Sequence, residues 1–262
     1  MSGFSAAWLA LREPADHAAR DASLAQAAAA LLKGKTPARI LDLGCGTGSN
    51  FRAFSPLVAA PQEWTLVDFD PRLLAAARGQ NTATARATLV FRQADLTQTL
   101  EDVLAAPCNL VTAAAFFDLV SADWIERFCA ALAARRLPLY ATLTYDGDER
   151  WRPSHALDQR ILKAFLAHQG GDKGFGPAAG PRAHGLLCAG LERRGYFVRE
   201  AKSPWRLGPA SRALISQLAD GIAAAAQETG AVSAAEAETW RLARHTADGC
   251  EIGHWDMLAV ME

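Results

Sequence analysis

The chain has 262 residues, of which 50% are hydrophobic and 21% charged, and its formal net charge is −1. This length predicts one large domain or a core with a lid, and the composition is that of a globular protein. Because the charge is balanced and no basic run occurs, nucleic acid and anionic membranes are not expected partners. No apolar stretch reaches the ~20 residues that span a bilayer.

The five cysteines lie far apart and include no C-x-x-C pair. Their spacing argues against a disulfide framework and against a structural zinc site, and it favours a reducing compartment. The first residues, MSGFSAAWLALREPADHAAR, lack a positively charged start and are not typical of a signal peptide. We therefore expect a cytoplasmic protein without a metal site.

In chain order, the pattern of apolar and turn residues predicts a helix over 14–33 and then alternating strands and helices. The predicted strands are 38–44, 63–70, 87–96, 109–117 and 137–146, and the helices between them are 49–59, 72–78, 97–106 and 122–136. Alternation with short connections predicts parallel β-α-β units.

After residue 146 the alternation stops. The predicted order is a helix (154–169), a glycine-rich loop (170–181), a helix (182–195), a strand (196–205), two helices (209–230 and 233–248) and a last strand (254–261). The expected fold is α/β, with a doubly wound, mostly parallel, Rossmann-like sheet of seven strands. We interpret residues 1–262 as a single domain with helical additions.

A glycine loop, Gly44-Cys45-Gly46-Thr47-Gly48, joins the first predicted strand to the next helix. Such a loop lets backbone N–H groups approach a ligand at the positive end of a helix. Neither the dinucleotide spacing G-x-G-x-x-G nor the phosphate-binding G-x-x-x-x-G-K-[ST] is present, which disfavours a pyrophosphate cradle. A tight turn without a ligand is also disfavoured, because three glycines weaken the fold unless something must come close.

The motif LDLGCGTG, residues 41–48, resembles the first signature of the class I S-adenosylmethionine-dependent methyltransferases. The resemblance covers residues 38 to about 146. It implies S-adenosylmethionine as cofactor and S-adenosylhomocysteine as its product. It also implies that Asp68, at the end of the second strand, accepts both ribose hydroxyls, as a carboxylate can. The neighbouring Asp70 precedes Pro71 and better fits a helix cap.

The same resemblance assigns further contacts to the cofactor. Phe69 lies against adenine, and Asp95 with the Leu96 backbone meets the adenine amino group, although Asp95 also fits a helix cap. Small residues of the fourth strand leave room for the methionine part of the cofactor. Arg12 is either the partner of the methionine carboxylate or an exposed charge at the start of a helix. The complete predicted cofactor set is Arg12, Asp42, Gly44, Gly46, Gly48, Asn50, Asp68, Phe69, Asp95, Leu96, Ala113 and Ala114.

Several methyltransferase subclasses are disfavoured. The sequence after the fourth strand is AAAFFD, where enzymes acting on amide or adenine nitrogen carry [ND]-P-P-[YF]. The Pro107-Cys108 pair lies before that strand, unlike the catalytic pair of cytosine C5 enzymes. Asp118 is a single acid where metal-dependent enzymes need a cluster. A small-molecule acceptor is therefore expected.

Ligands of open parallel sheets bind beyond the carboxyl ends of the strands. We expect the segments 1–37, 147–180 and 207–249 to meet there as a helical lid that excludes water. The catalytic candidates are Tyr145 and His155, the histidine because its pKa lies near neutrality. The acceptor candidates are Phe117, Asp146, Trp151, His168 and Lys173, with Arg206 and His254 as weaker ones.

Structural roles compete with these assignments. His155 is either a base or an exposed first-turn residue, and His168 is either an acceptor contact or a favourable charge at a helix C-terminus. The segment GGDKGFG, residues 170–176, is expected to be a mobile flap.

The predicted function is methyl transfer from S-adenosylmethionine to N, O or S of a small molecule by direct displacement. Two alternatives use the same cofactor: binding without methyl transfer, and transfer of its aminocarboxypropyl group. A nicotinamide oxidoreductase is disfavoured by the glycine spacing.

Overall fold

The apolar runs form one mixed sheet in a computed structural model that describes residues 4–261. Its strands are β1 (Ala38–Leu43), β2 (Gln62–Asp68), β3 (Ala87–Gln93), β4 (Leu110–Ala114), β5 (Leu139–Arg152), β6 (Tyr196–Lys202), β7 (Trp205–Leu207) and β8 (Gly249–Met261). Strands β1 to β5 pair in parallel, whereas β8 is antiparallel to β5, β6 and β7.

The strand order is β3-β2-β1-β4-β5-β8-β6, with β7 paired to β8 beside this path. The predicted α/β, doubly wound, mostly parallel fold is confirmed. The short strand β7 is an eighth strand, because the predicted strand 196–205 is interrupted before Trp205. Pro204 lies at the interruption and has no N–H to donate to a ladder.

The helices are α1 (Ala6–Ala19), α2 (Ala22–Leu31), α3 (Ser49–Phe54), α4 (Pro71–Gln80), α5 (Leu100–Leu104), α6 (Ala122–Ala134), α7 (Asp158–Gln169), α8 (Ala183–Glu192), α9 (Arg212–Glu228) and α10 (Ala234–His245). Within residues 4–261, none of these helices is long and apolar enough to cross a membrane.

Both faces of the sheet are covered, because alternate residues of a strand point to opposite faces. In β1, Leu41 and Leu43 belong to the apolar cluster that includes α5, α6 and α8. Ala38 and Ile40 belong to the cluster that includes α2, α3 and α4. This two-sided burial explains why β1 reads as a nearly continuous apolar run.

A third apolar cluster lies beyond the sheet. It joins α7, α9 and α10 to the ends of β5, β7 and β8, with Trp151, Trp205 and Trp240 among its buried residues. Trp8 of α1 packs against it. The late helices therefore have a core of their own.

The predicted helix over 14–33 is wrong in its bounds. The chain forms α1 and α2 with a break at Arg20 and Asp21, and Pro14 lies inside α1. Asp21 caps α2 by accepting the Leu24 N–H at 2.8 Å, while its own N–H donates to Asp256 Oδ2 at 2.9 Å. These two bonds hold Asp21 out of the helical conformation.

Candidate functional site

The glycine loop after β1 has a backbone that only glycine adopts easily. Gly44, Gly46 and Gly48 have φ values of +62°, +54° and +83°. A Cβ at Gly44 would lie 2.5 Å from the Phe116 ring, and a Cβ at Gly48 would lie 2.5 Å from Asn81 Nδ2. Neighbouring side chains thus pack directly on the loop backbone.

The loop borders a cavity of about 480 Å³, which we call the loop cavity. Its wall is formed by Phe4, Leu9, Arg12, Asp16, Arg20, Asp42, Gly44–Thr47, Ser49, Asn50, Asp68–Leu73, Ala94–Thr97, Ala114–Phe116, Leu119 and Lys173–Phe175. Ten of the twelve residues predicted for the cofactor lie on this wall.

The other two predicted cofactor residues, Gly48 and Ala113, do not lie on the wall of the loop cavity. Gly48 faces Asn81 instead, so its missing side chain makes room for that amide. Ala113 is 1% exposed because it lies in β4 between β1 and β5. At the end of β4, the small residues on the wall are Ala114 and Ala115.

Asp68 ends β2 at the wall of the loop cavity. Its Oδ2 accepts the Gly46 N–H at 2.8 Å, and its Oδ1 accepts the Asp70 N–H at 2.9 Å. Burial raises the pKa of Asp68, and these backbone N–H groups oppose the rise. Each oxygen keeps a lone pair, so Asp68 can accept hydrogen bonds from a ligand while it holds the glycine loop.

Asp42 lies under the loop at the centre of a hydrogen-bond network. Its Oδ1 accepts from Asn50 Nδ2 at 2.6 Å and from Thr112 Oγ1 at 2.9 Å. Burial raises the pKa of Asp42 to about 6. Its buried Oδ2 has no hydrogen-bond partner among the described residues.

Arg20 completes this network from the break between α1 and α2. Its Nη1 donates to Asn50 Oδ1 at 2.7 Å. The buried Nε and Nη2 have no hydrogen-bond partner within residues 4–261. Sequence reasoning missed Arg20, because the predicted continuous helix gave no reason for this side chain to turn inward.

Arg12 is held in place by other side chains. Its Nε and Nη2 donate to the two oxygens of Asp16 at 2.9 and 3.0 Å, and its guanidinium lies 5.0 Å from the Trp205 ring centre. Asp16 also accepts from Trp205 Nε1 at 3.0 Å. Arg12 is therefore a fixed, half-buried cation, not an exposed helix-start charge.

A second cavity of about 800 Å³, the lid cavity, lies between the loop after β4 and the late helices. Its wall is formed by Phe4, Ser5, Trp8, Arg12, Ala115, Asp118, Leu119, Leu143, Tyr145, Glu149, Phe165, His168, Gln169, Lys173, Trp205, Gln217, Leu218, Asp220–Ile222, Ala225, Ile252 and His254. Five of these residues, Phe4, Arg12, Ala115, Leu119 and Lys173, also line the loop cavity. The two cavities thus meet.

Buried titratable groups line the lid cavity. Burial raises the pKa of Asp118 to about 6, and its Oδ1 has no partner in the described part of the chain. Tyr145 Oη donates to Glu149 Oε1 at 2.9 Å, and burial raises the pKa of Glu149 to about 7. Burial lowers the pKa of His254 to about 3, so its ring is neutral.

Tyr145, His168 and Lys173 lie on the wall of the lid cavity, as does His254. The predicted catalytic base His155 lies on the wall of neither cavity. It precedes α7, where its Nδ1 accepts the Leu157 N–H at 3.2 Å. The predicted helix 154–169 begins only at Asp158.

Phe117, Asp146, Trp151 and Arg206 also lie outside the lid-cavity wall. Phe117 is 1% exposed in an aromatic cluster, and Asp146 Oδ1 accepts the Asp148 N–H at 2.9 Å where the pairing of β5 with β8 shifts register. Trp151 packs edge-on against Trp240. The exposed Arg206 pairs with Glu251.

Among the wall residues that the sequence did not indicate are Asp118, Glu149, Trp8 and Trp205. Tyr145, Glu149 and Trp151 occupy alternate positions of YDGDERW, residues 145–151, but the predicted β5 ends at residue 146 and leaves the last two out. For Asp118, the sequence indicates only a single acid where metal-dependent enzymes need several.

A family model described as a methyltransferase domain matches residues 40–136 of the chain. These residues run from β1 through α6 and include the glycine loop, Asp68 and Asp95. A search of curated proteins found no match.

Solved structures share the fold. The cyclopropane synthase MmaA2 from Mycobacterium tuberculosis is 16% identical with a TM-score of 0.54, over 98% of this chain and 94% of that chain. The YcgJ protein from Bacillus subtilis is 11% identical with a TM-score of 0.52, over 92% and 99%. Haemonchus contortus phosphoethanolamine N-methyltransferase 2, solved with phosphomonomethylethanolamine and S-adenosylhomocysteine, is 11% identical with a TM-score of 0.50, over 100% and 59%.

Proposed function

We propose that the chain is a class I S-adenosylmethionine-dependent methyltransferase that methylates N, O or S of a small molecule held in the lid cavity. The match of residues 40–136 to a methyltransferase-domain model supports this proposal, and S-adenosylmethionine is the cofactor that it implies. The observation that carries the proposal is the junction of the two cavities. A cofactor in the loop cavity and an acceptor in the lid cavity would meet at Ala115 and Leu119, which line both cavities.

The nucleoside end of the cofactor would lie at the ends of β2 and β3. Asp68 would accept the ribose hydroxyls, and the 52% exposed Phe69 ring would cover adenine. Asp95 Oδ1 already accepts from Thr97 N and Oγ1 at 2.8 and 2.6 Å. Its Oδ2 is therefore the oxygen proposed for the adenine amino group, beside the Leu96 backbone.

The methionine end has matching polar atoms. The buried Arg20 Nε and Nη2, which lack partners, form the fork that binds a carboxylate in two places. The unpartnered Asp42 Oδ2 would accept from the ammonium group. Two orphaned groups of opposite charge on one wall fit a zwitterion, and this fit supports the assignment of the loop cavity to S-adenosylmethionine.

When bound, the cofactor supplies an electrophilic methyl group. The chain's part is to orient and enclose the two reactants, since methyl transfer by direct displacement depends mainly on positioning. The pairing of Arg12 with Asp16 and Trp205 fixes the wall between the cavities. The aromatic residues around the lid cavity exclude water from the reacting atoms.

The segments 1–37, 147–180 and 207–249 are proposed to form the lid of this single domain. Their separate apolar core and their contribution to the lid-cavity wall support that assignment. We also propose a cytoplasmic location, because all five cysteines are free.

Calorimetry with S-adenosylhomocysteine tests the cofactor site. We expect D68A to bind about 100-fold more weakly than the wild type or worse, because it loses two charge-assisted hydrogen bonds that contribute at least ~1.5 kcal/mol each. R206A is the control, since Arg206 is exposed and lies outside both cavities. Equal affinity of D68A and wild type, or no binding by the wild type, would contradict the proposal.

Product analysis then separates the possible reactions. Methyl transfer releases S-adenosylhomocysteine, whereas aminocarboxypropyl transfer releases methylthioadenosine. Binding without either product identifies a protein that only holds the cofactor.

A further inference from the structure

Asp118 is a buried acid on the wall of the lid cavity. This residue is 8% exposed, lies four residues after the end of β4, and has no hydrogen-bond partner for Oδ1 among the described residues. Arg12 is near enough to favour its charged form, but two guanidinium nitrogens of Arg12 are bound by Asp16. A buried carboxylate oxygen without a donor is costly, so this wall is suited to a ligand that supplies an N–H group.

Aromatic side chains surround the same space. Trp8, Tyr145, Phe165 and Trp205 line the lid cavity. Tyr145 and Phe165 meet edge-on at 6.3 Å between ring centres, and the neutral His254 ring joins Tyr145 to Trp205 at 6.0 and 5.1 Å. Such a wall attracts a cation through the faces of its rings.

Two of the three side chains on the wall that can carry a positive charge besides His254 are paired with carboxylates. Arg12 is paired with Asp16, and His168 with Glu228 at 3.0 Å. Lys173 lies in the glycine-flanked loop and lines both cavities, so it stands at their junction. Within residues 4–261, the wall of the lid cavity therefore offers an unpartnered carboxylate oxygen and aromatic side chains, but no unpaired guanidinium.

From these features we propose that the acceptor is an amine whose N–H groups bind Asp118, an inference that rests on the proposed function. The amine enters as an ammonium ion between Asp118 and the aromatic wall, and it gives one proton to Asp118. Its lone pair then forms the new C–N bond as the methyl–sulfur bond breaks and the electron pair stays on sulfur. The products are the methylated amine and S-adenosylhomocysteine, and Asp118 returns its proton to solvent.

The test compares two probes of matched size, phenethylamine and phenylacetate, in the presence of saturating S-adenosylhomocysteine. Binding is followed by calorimetry and by quenching of tryptophan fluorescence. We expect the wild type to bind phenethylamine at least tenfold more tightly than phenylacetate. D118N should lose this preference while it keeps its affinity for S-adenosylhomocysteine, and D123N, an exposed acid of α6, is the control.

Equal affinity for the two probes, no binding of the amine, or an unchanged preference in D118N would overturn the amine proposal. Retained binding of S-adenosylhomocysteine in that case leaves the methyltransferase proposal standing. Lost binding of S-adenosylhomocysteine by the wild type counts against both proposals. The two failures are therefore distinguishable.

A different part of the molecule carries an independent inference. His184 and Cys188 lie one turn apart on α8 and face Glu200 of β6, outside both cavities. His184 Nε2 is 2.8 Å from Glu200 Oε2, and Cys188 Sγ is 3.5 Å from each of these atoms. Trp255 holds the imidazole by stacking at 4.9 Å with an angle of 7°.

This triangle has nearly the edges of a tetrahedral zinc site. With zinc–sulfur bonds of ~2.3 Å and zinc–nitrogen or zinc–oxygen bonds of ~2.0 Å, the edges to sulfur are about 3.5 Å and the nitrogen–oxygen edge about 3.3 Å. Only the nitrogen–oxygen edge must lengthen. The Glu200 side chain is 49% exposed, so an ion has access and a water can take the fourth position.

We infer that His184, Cys188 and Glu200 bind a divalent cation of the zinc type. Binding moves the imidazole proton to Nδ1, which is buried without a partner among the described residues, and it releases the thiol proton to solvent. Burial and the Glu200 carboxylate raise the pKa of Cys188 to about 12, so the thiol is protonated before the cation arrives. The i, i+4 spacing of His184 and Cys188 escapes a search for C-x-x-C motifs.

Titration of the full chain with Co²⁺ tests this site without reference to methyl transfer. We expect a thiolate-to-cobalt charge-transfer band at one equivalent in the wild type, and competition by Zn²⁺. C188S should lose the band, and E200Q should bind about 10–100-fold more weakly. C108S is the matched control, because Cys108 is also partly exposed and lies outside the cluster. No band in the wild type, or a band that persists in C188S, would show that the cluster is an ordinary histidine–glutamate hydrogen bond.

Discussion

Replacing Arg20 with methionine removes a positive charge from the wall of the loop cavity and keeps an unbranched side chain there. In the wild type Arg20 donates to Asn50 Oδ1 at 2.7 Å, its charge stabilises the buried Asp42 carboxylate, and it lies near the Tyr140 hydroxyl, while its buried Nε and Nη2 meet no partner at hydrogen-bond distance in the described residues. R20M leaves Asn50 Oδ1 without this donor and Asp42 without this cation, so its free energy of unfolding should fall by roughly 1–3 kcal/mol.

The effect on binding should be much larger. If Arg20 binds the methionine carboxylate through both free nitrogens, R20M loses two charge-assisted hydrogen bonds, or ~3 kcal/mol and about 100-fold in affinity. Methylthioadenosine lacks the amino-acid part of the cofactor, so its affinity should be unchanged. R20K should be intermediate, because a lysine keeps the charge but loses the fork.

Calorimetry of R20M with S-adenosylhomocysteine and with methylthioadenosine measures this difference directly. A selective loss for S-adenosylhomocysteine supports the assignment of Arg20. Equal losses for both ligands would show that R20M disturbs the cavity as a whole, and no loss for either would show that the carboxylate binds elsewhere. Both results refute the reasoning.

Three further predictions concern the loop cavity and the lid cavity. D70A should lower the free energy of unfolding by about 1 kcal/mol in denaturant titrations, because Asp70 Oδ1 caps α4 by accepting the Arg72 N–H at 2.8 Å. The affinity of D70A for S-adenosylhomocysteine should be unchanged, and a large loss of affinity would make Asp70 the ribose ligand. G44A should destabilise the protein and weaken cofactor binding, because its Cβ would meet the Phe116 ring at 2.5 Å; wild-type values for both would contradict the loop geometry. The pKa of Glu149 is raised from 4.5 to about 7 in the folded state, so the wild type loses stability as pH rises through this window. E149Q should therefore gain stability relative to the wild type between pH ~4 and ~8, on the order of 3 kcal/mol, and a pH-independent difference in chemical denaturation would contradict this.

The sequence predicted the parallel part of the sheet well, because local signals and the fold agree there. Asp70 before Pro71 predicts a cap, and the structure has the Asp70 oxygen on the Arg72 N–H. The glycine loop likewise has the positive φ values that glycine permits. Most residues predicted for the cofactor lie on the loop-cavity wall, since they follow directly from strand ends.

The lid was harder to predict, because its residues are brought together by long-range packing. The sequence predicts Trp151 as an acceptor contact, but its ring packs on Trp240 of α10. His155 is one residue after Ser154 in a predicted first turn, yet the helix starts at Asp158 and leaves the imidazole outside the cavity. The place of Asp118 on the lid-cavity wall depends on how β4, β5 and the late helices pack together, so no local sequence pattern predicts it.

The central claim is methyl transfer to a small molecule, and labelled cofactor measures it most directly. The enzyme would be incubated with S-adenosylmethionine carrying a deuterated methyl group and with a small-molecule extract, and products would be identified by mass spectrometry. We predict a deuteromethylated small molecule and an equal amount of S-adenosylhomocysteine with the wild type, and much less of both with D68A at the same cofactor concentration. Release of methylthioadenosine, or label found only in macromolecules, would contradict the account.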